Sequence, residues 1–568
     1  MIKNGLKLAH QSSVSNLSQV RAETNKQATA NEESLLRIFT VPEAPDSTLG
    51  RIEQEISQNL NGFLSEHLVA KEHKLSEIEK DFSDAQLPEE PQFVSDHTSF
   101  LLDKLVAQSV HTSSPSFIGH MTSALPYFML PMSKIMIALN QNLVKIETSK
   151  AFTPLERQVL GMMHNLVYGG ASSFYQEYMH SEQFSLGAFC SGGTIANVTA
   201  LWVARNNLFK PSGNFKGVAQ SGLYKALLHY GYKGAAVLVS ERGHYSLAKS
   251  ADLLGIGRED VIAIPTDANN RVDIDKLRST AKQLRDNGIA ILAMVGVAGT
   301  TETGNIDPLA EMAAVASEVG CHFHVDAAWG GSTLFSHKYA SLLAGIELAD
   351  SVTIDAHKQM YVPMGAGIVL FKDPSLAGHI EHHAEYVLRK GSKDLGSHTL
   401  EGSRPGMAML VFASMNILGR KGYQLLIDRS IEQARYFAEL INQQDDFELV
   451  SHPELCLLTY RYVPAPLKAI LRSGNQVLIS QVNEYLDDLT KYVQKRQREA
   501  GKSFVSRTRI NPSIYQGQSI TVFRVVLANP LTTQQILQDV LQEQRELAQT
   551  SQIALPMLMK MLAQWQAA

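Results

Sequence analysis

The chain has 568 residues, with 51 Lys plus Arg against 56 Asp plus Glu, for a formal charge of −5. That length is ample for a large buried core in several domains, and 44% hydrophobic with 19% charged residues excludes a generally disordered chain. The mild acidity gives no reason to expect nucleic acid as a partner, and three scattered cysteines, Cys190, Cys321 and Cys456, exclude a disulfide scaffold and suit a reducing cytoplasm.

Residues 1–34 are rich in Ser, Asn, Gln and Ala without an apolar signal-like core, and are expected to form a poorly ordered extension. Residues 35–125 predict a helical segment, with Leu60, Phe63, Leu64 and Leu68 at helical spacing. Thr153-Pro154-Leu155-Glu156 predicts a sharp helix start, with Thr153 as N-cap and Glu156 closing a capping box. Short apolar runs follow at 235–239, 261–264, 289–297, 321–325, 351–354 and 367–371, several separated by helical stretches such as 273–287 and 308–319. That alternation predicts an α/β domain over 126–406, with a mainly parallel central sheet covered on both faces. From 407 to 548 the pattern is a small α+β domain: helix 431–442, strands 447–450, 456–462 and 521–527, and a closing helix 533–547. The tail 549–568 is Met- and Leu-rich but interrupted by Pro556 and Lys560, and is expected to pack on a partner subunit. No apolar run approaches the roughly eighteen residues of a membrane span, so no membrane partner is expected.

Ligands of such sheets bind beyond the carboxyl ends of the strands, and four constellations fall there. Ser191-Gly192-Gly193-Thr194 leads into a helix, whose free N–H groups can hold a phosphate, although alone the segment reads as a tight strand-to-helix turn. No Lys follows the glycines, so it is not a Walker loop. His244, after the run 235–239, could stack on a planar ligand or shuttle a proton; alone it reads as a surface histidine. His322, His324 and Asp326 share one face of a strand, which raises a metal site. The two histidines lie mid-strand, however, and no further ligand follows, so Asp326 reads as functional and no metal is expected. His357-Lys358 follows the run 351–354, and a lysine there is a candidate Schiff-base amine. An ordinary lysine has a pKa of about 10.4, so that chemistry needs it desolvated or held near other cations. In combination these are the parts that hold pyridoxal phosphate and use it as an electron sink.

With Gly243-His244-Tyr245-Ser246, Gly299-Thr300-Thr301 and His324-Val325-Asp326-Ala327-Ala328 added, the chain resembles the group II pyridoxal-dependent decarboxylases over about residues 95–545. The resemblance implies the PLP-dependent transferase fold of type I, pyridoxal 5'-phosphate as cofactor, and a homodimer with an interfacial active site to which 35–125 contributes. It implies that Lys358 forms the Schiff base, His244 stacks on the ring, Asp326 pairs with the pyridine nitrogen and Ala328 packs beneath the ring. Gly193, Thr194 and His357 would contact the phosphate or lie beside it, with Thr300 nearby. Tyr386, in a stretch similar to the mobile catalytic loop, would reprotonate Cα. Arg524, in Val522-Phe523-Arg524-Val525-Val526, would clamp the α-carboxylate, as a guanidinium's bidentate fork allows. Asp355 stands where many animal members have Asn and receives no role.

His120, in Ser116-Phe117-Ile118-Gly119-His120-Met121-Thr122, replaces an amide of the glutamate decarboxylase substrate pocket and is the other expected substrate contact. Across 117–123, 401–410 and 504–507 the chain is most similar to the bacterial pyridoxal-dependent aspartate 1-decarboxylases, which supply β-alanine for pantothenate. The expected reaction is therefore α-decarboxylation of L-aspartate. Glutamate or 2,4-diaminobutyrate decarboxylation is the alternative substrate class, and a pseudoenzyme that retains the fold is the alternative from another class.

Overall fold

The structure, a computed structural model, describes residues 48–66, 69–70, 73–384, 391–551 and 563. They fall into two compact units, one running up to Phe117 together with Lys495–Phe504, the other comprising Ile118–Gln494 and the residues from Val505 onward. Within the range 35–125, the first unit contains the helices Thr48–Glu66, Leu75–Asp81 and Val94–Phe100. Leu68 lies outside the described residues. Stacking of Phe117 on Phe504, with centroids 4.9 Å apart, and a hydrogen bond from Phe504 N to Ser116 O tie the two segments of this unit together.

The second unit carries two sheets. Seven strands form the larger: β1 Gly187–Cys190, β2 Gly234–Ser240, β3 Val261–Ile264, β4 Ile289–Val297, β5 His322–Asp326, β6 Ser351–Asp355 and β7 Gly367–Phe371, in the order β1-β7-β6-β5-β4-β2-β3. β3, β2, β4, β5 and β6 pair in parallel, and β7 runs against both β6 and β1. The mainly parallel sheet expected from the sequence is therefore present, with one reversed strand inside it. β4 (IAILAMVGV) is buried along nearly its whole length, as a strand covered on both faces must be. The smaller sheet is antiparallel: β8 Phe447–Ser451, β9 Leu457–Tyr462, β10 Ser506–Ile510 and β11 Ile520–Val526, in the order β10-β11-β9-β8. Among the described residues no helix is long and apolar enough to cross a membrane.

One local expectation is corrected. The helix expected to start at Thr153 begins one residue earlier and runs Phe152–Tyr168, with Ala151 at the N-cap and no side-chain cap. The Thr153 hydroxyl pairs with that of Ser149 at 2.7 Å, and Glu156 forms two hydrogen bonds with the buried guanidinium of Arg404, one of them 2.6 Å long. A buried cation left without its counter-charge costs several kcal/mol, whereas a capping bond contributes about 1 kcal/mol. The carboxylate therefore serves the ion pair.

Candidate active site

β1 and β6 both oppose β7, so β1, β2, β4, β5 and β6 all point the same way and their carboxyl ends share one edge of the sheet. A cavity of about 400 Å³ opens there, lined among others by Gly193, Thr194, His244, Asp326, Ala328 and Lys358. His357 and Asn197 also line it. Residues drawn from five separate strand ends thus meet in one place, the location expected for a ligand of an open α/β sheet.

At one side β1 turns through Ser191 and Gly192 into the helix Gly193–Leu208, whose first turn has no side-chain cap. Uncapped N–H groups at the positive end of a helix suit an anion. A Cβ at Gly193 would stand 2.8 Å from Asp355 Oδ2, and one at Gly367 2.5 Å from the Gly192 carbonyl carbon, so only glycine permits this approach of backbone to strand. Ser191 N donates to Glu401 Oε2 at 2.9 Å.

Beside this turn, β6 ends at Asp355, which is 3% exposed. Its Oδ2 lies 3.2 Å from Lys358 Nζ and 3.6 Å from His357 Nε2, while Oδ1 is buried without a hydrogen bond. Asp355 is thus the counter-ion of the lysine, a role that the sequence did not reveal because the contact depends on the turn between them.

Across the cavity, Asp326 closes β5. Its Oδ1 accepts from Ala328 N at 3.1 Å and its Oδ2 from Asn197 Nδ2 at 2.8 Å. Asn197 was missed by sequence reasoning. The available signal was its place four residues after Gly193, one helical turn on and so on the same face, as the one amide side chain between Gly193 and Ala204. His244 accepts at Nδ1 from Ser246 N (3.3 Å), with the Ser246 hydroxyl 2.9 Å away. Burial pushes this imidazole below its ordinary value, against the pull of Asp326.

Arg524 reaches the same region from β11. Its Nε donates to Thr301 O at 2.6 Å, and its Nη1 to Gly119 O at 3.3 Å and Ser506 Oγ at 3.4 Å. All three acceptors are neutral, and burial pushes the guanidinium down to about 10, partly opposed by Glu302. A buried cation held by neutral acceptors suits an anionic ligand. His120 is held by Thr122, whose hydroxyl lies 2.8 Å from Nδ1, and is pushed down by burial and by the charges of Arg524 and Lys358. Thr300 is fully buried, and its hydroxyl is spent inside its own turn on Thr303 and Asn305 N; its neighbour Thr301 lines the cavity instead. Tyr386 lies outside the described residues.

His322 and His324, which raised the metal reading, are both buried and share the Ser351 hydroxyl at 2.7 and 2.8 Å. Among the described residues no group of three or more His, Cys, Asp or Glu could hold a metal ion. Burial pushes both imidazoles down, and His164, between Tyr175 OH and Phe371 O, down to about 4. Each folded value lies below the unfolded one, so stability is complete above about pH 6.5 and falls as pH drops, because the unfolded chain takes up protons that the fold refuses. The loss is roughly 1.4 kcal/mol per pH unit for each histidine within that window. The urea midpoint should therefore fall between pH 7.5 and 5, while these imidazole resonances in the folded protein keep their neutral positions.

Residues 76–463 match the family model described as the pyridoxal-dependent decarboxylase conserved domain. An aspartate 1-decarboxylase of Aliivibrio fischeri is 68% identical over 534 residues, covering 94% of this chain and 98% of the relative. An L-2,4-diaminobutyrate decarboxylase of Acinetobacter baumannii is 28% identical, covering 64% of this chain and 70% of the relative. Among solved structures, mouse CSAD in apo form superposes with a TM-score of 0.75 at 25% identity, covering 87% of this chain and 98% of that one. With a family model matched over most of its length and a relative of such identity across nearly all of it, this chain belongs to the pyridoxal-dependent decarboxylases.

Proposed function

We propose that this enzyme removes the α-carboxylate of L-aspartate, giving β-alanine and carbon dioxide, with pyridoxal phosphate as cofactor. The observation that carries the substrate is the 68% identity to the Aliivibrio aspartate 1-decarboxylase across 94% of this chain. The residues present fit the cofactor: an uncapped helix start behind Gly193, an amine at Lys358, a carboxylate at Asp326 and an imidazole at His244 line one cavity. Bound pyridoxal phosphate supplies an aldehyde for an amino group and a ring that accepts the electron pair left when a carboxylate departs.

The chain's own residues divide the rest of the work. Gly193 and Thr194, with His357 beside them, would hold the phosphate, and Lys358 would supply the amine for covalent attachment. Asp326, already oriented by two N–H donors, would hold the proton of the pyridine nitrogen. His244 and Ala328, which both line the cavity, would pack against the ring. Arg524 receives a substrate carboxylate, and His120, whose charged form is disfavoured by burial and by Arg524 and Lys358, offers a hydrogen bond to the substrate side chain. Tyr386 returns the proton to Cα.

The same reading makes the enzyme a homodimer of the cytoplasm that supplies β-alanine for pantothenate. Supporting the dimer, Tyr127 and, on the helix Met129–Leu139, Leu130, Ile135, Ile137 and Leu139 are exposed, large apolar side chains that a second subunit would cover. Product analysis of the purified protein with aspartate, glutamate and 2,4-diaminobutyrate tests the substrate. β-Alanine from aspartate at the highest kcat/KM is expected. γ-Aminobutyrate or diaminopropane as the preferred product would overturn the assignment.

A further inference from the structure

Asp326 and His244 share a neighbour that the reaction scheme above leaves unused. A carboxylate can only accept, so Asn197 Nδ2 must be the donor to Asp326 Oδ2 at 2.8 Å, which fixes the orientation of the amide. Asn197 Oδ1 then faces His324 Nε2 at 3.1 Å, and that nitrogen must carry a proton. His324 is fully buried, which favours the neutral ring. Its Nδ1 is then an acceptor and takes the hydroxyl proton of Ser351 at 2.8 Å; Ser351 Oγ in turn accepts from His322 Nε2 at 2.7 Å. The Ser351 carbonyl, 3.1 Å from the same Nδ1, is the one contact that would be better served by a charged ring.

The second amide hydrogen of Asn197 goes to Ser246 Oγ at 3.0 Å. The Ser246 hydroxyl is thereby turned to donate to His244 Nδ1 at 2.9 Å, where the Ser246 backbone N–H also donates at 3.3 Å. With two donors on Nδ1, the proton of a neutral His244 sits on Nε2. Asn197 itself is 1% exposed, so water cannot replace these bonds.

We propose that Asn197 is a positioning residue for the reaction. Its amide joins Asp326 and, through Ser246, His244 into one directed hydrogen-bond network that keeps Asp326 an anionic acceptor and His244 the Nε2–H tautomer. The network starts at His322 and passes Ser351 and His324 before it branches at Asn197. Its effect on the cofactor ring rests on the assignment of Asp326 to the pyridine nitrogen; the tautomers do not.

The test is nitrogen NMR of histidine-labelled protein, alone and loaded with pyridoxal phosphate labelled at the ring nitrogen. In the unsubstituted protein, His244 and His324 should both be neutral with the proton on Nε2, and the ring nitrogen protonated. Asn197→Leu should average the His244 tautomers, move the ring nitrogen toward its neutral position and weaken cofactor binding by about 10- to 100-fold, the worth of a hydrogen bond to a charged group. Ser246→Ala should disturb His244 while leaving the ring nitrogen protonated. A doubly protonated His324 or a proton on His244 Nδ1 in the unsubstituted protein would overturn the network without any variant having to fold. If Asp326→Ala shifts the ring nitrogen and Asn197→Leu does not, the positioning role fails while the assignment of Asp326 stands. If neither variant shifts it, both fail.

Discussion

Lys358→Ala protein is expected to lose carbon dioxide release by on the order of 10⁴-fold or more, because it lacks the amine proposed to hold and exchange the cofactor. The visible absorption of lysine-linked cofactor should disappear with it. The substitution also strips Asp355 of its cation at 3.2 Å, leaving a buried carboxylate beside only His357. Some loss of stability is therefore expected alongside the loss of chemistry. Lys358→Arg separates the two effects. A guanidinium restores the positive charge beside Asp355 but does not deprotonate near neutral pH, so it cannot act as the amine. Its urea midpoint should recover toward that of the unsubstituted protein while activity stays absent. Lysine-type absorption persisting in Lys358→Ala would sink the assignment of this residue.

Arg524→Lys is expected to raise KM for aspartate by about 100-fold, with the absorption of bound cofactor unchanged. The reasoning is geometric. The guanidinium already spends Nε on Thr301 O and Nη1 on Gly119 O and Ser506 Oγ, so the fork is oriented before any substrate arrives. Loss of a well-oriented, charge-assisted pair costs about 3 kcal/mol, which is roughly that factor of 100. A lysine keeps the charge but has no planar fork. Steady-state kinetics with product detection read the result. A fall in cofactor affinity with KM unchanged would instead place Arg524 against the cofactor.

The parts of the fold legible in the sequence are those set by local pattern. The runs 261–264, 289–297 and 367–371 are strands with the bounds expected of them, because short continuous apolar runs rich in β-branched residues favour strands whichever way their neighbours run. The helix expected over 273–287 forms as Ile274–Asp286 between Asp273 and Asn287 as caps, with Asp273 accepting from Lys276 N. Elements whose apolar signal is interrupted escaped. β10, Ser506–Ile510, alternates half-buried and exposed positions up to Ile510, its one buried residue, with arginines on the exposed face, as an edge strand does, and it resembles a loop in composition. The 25-residue helix Gln476–Ala500 carries many charges, and it too had no place among the expected elements.

The candidate site divides along the same line. Lys358, Asp326, His244 and the Gly193 turn each follow an apolar run closely, so their strand-end positions were visible one segment at a time. What only the tertiary structure decided is who meets whom. Asp326 is oriented by Asn197, 129 residues away, and Arg524 is held by Thr301, 223 residues away. It also decided that Asp355 neutralises Lys358, that the Thr300 hydroxyl turns into its own loop and that Glu156 serves Arg404 rather than a cap. Periodicity and capping act within a few residues along the chain. Pairing of buried charges is instead settled by the desolvation they must avoid once the sheet has brought its strand ends together.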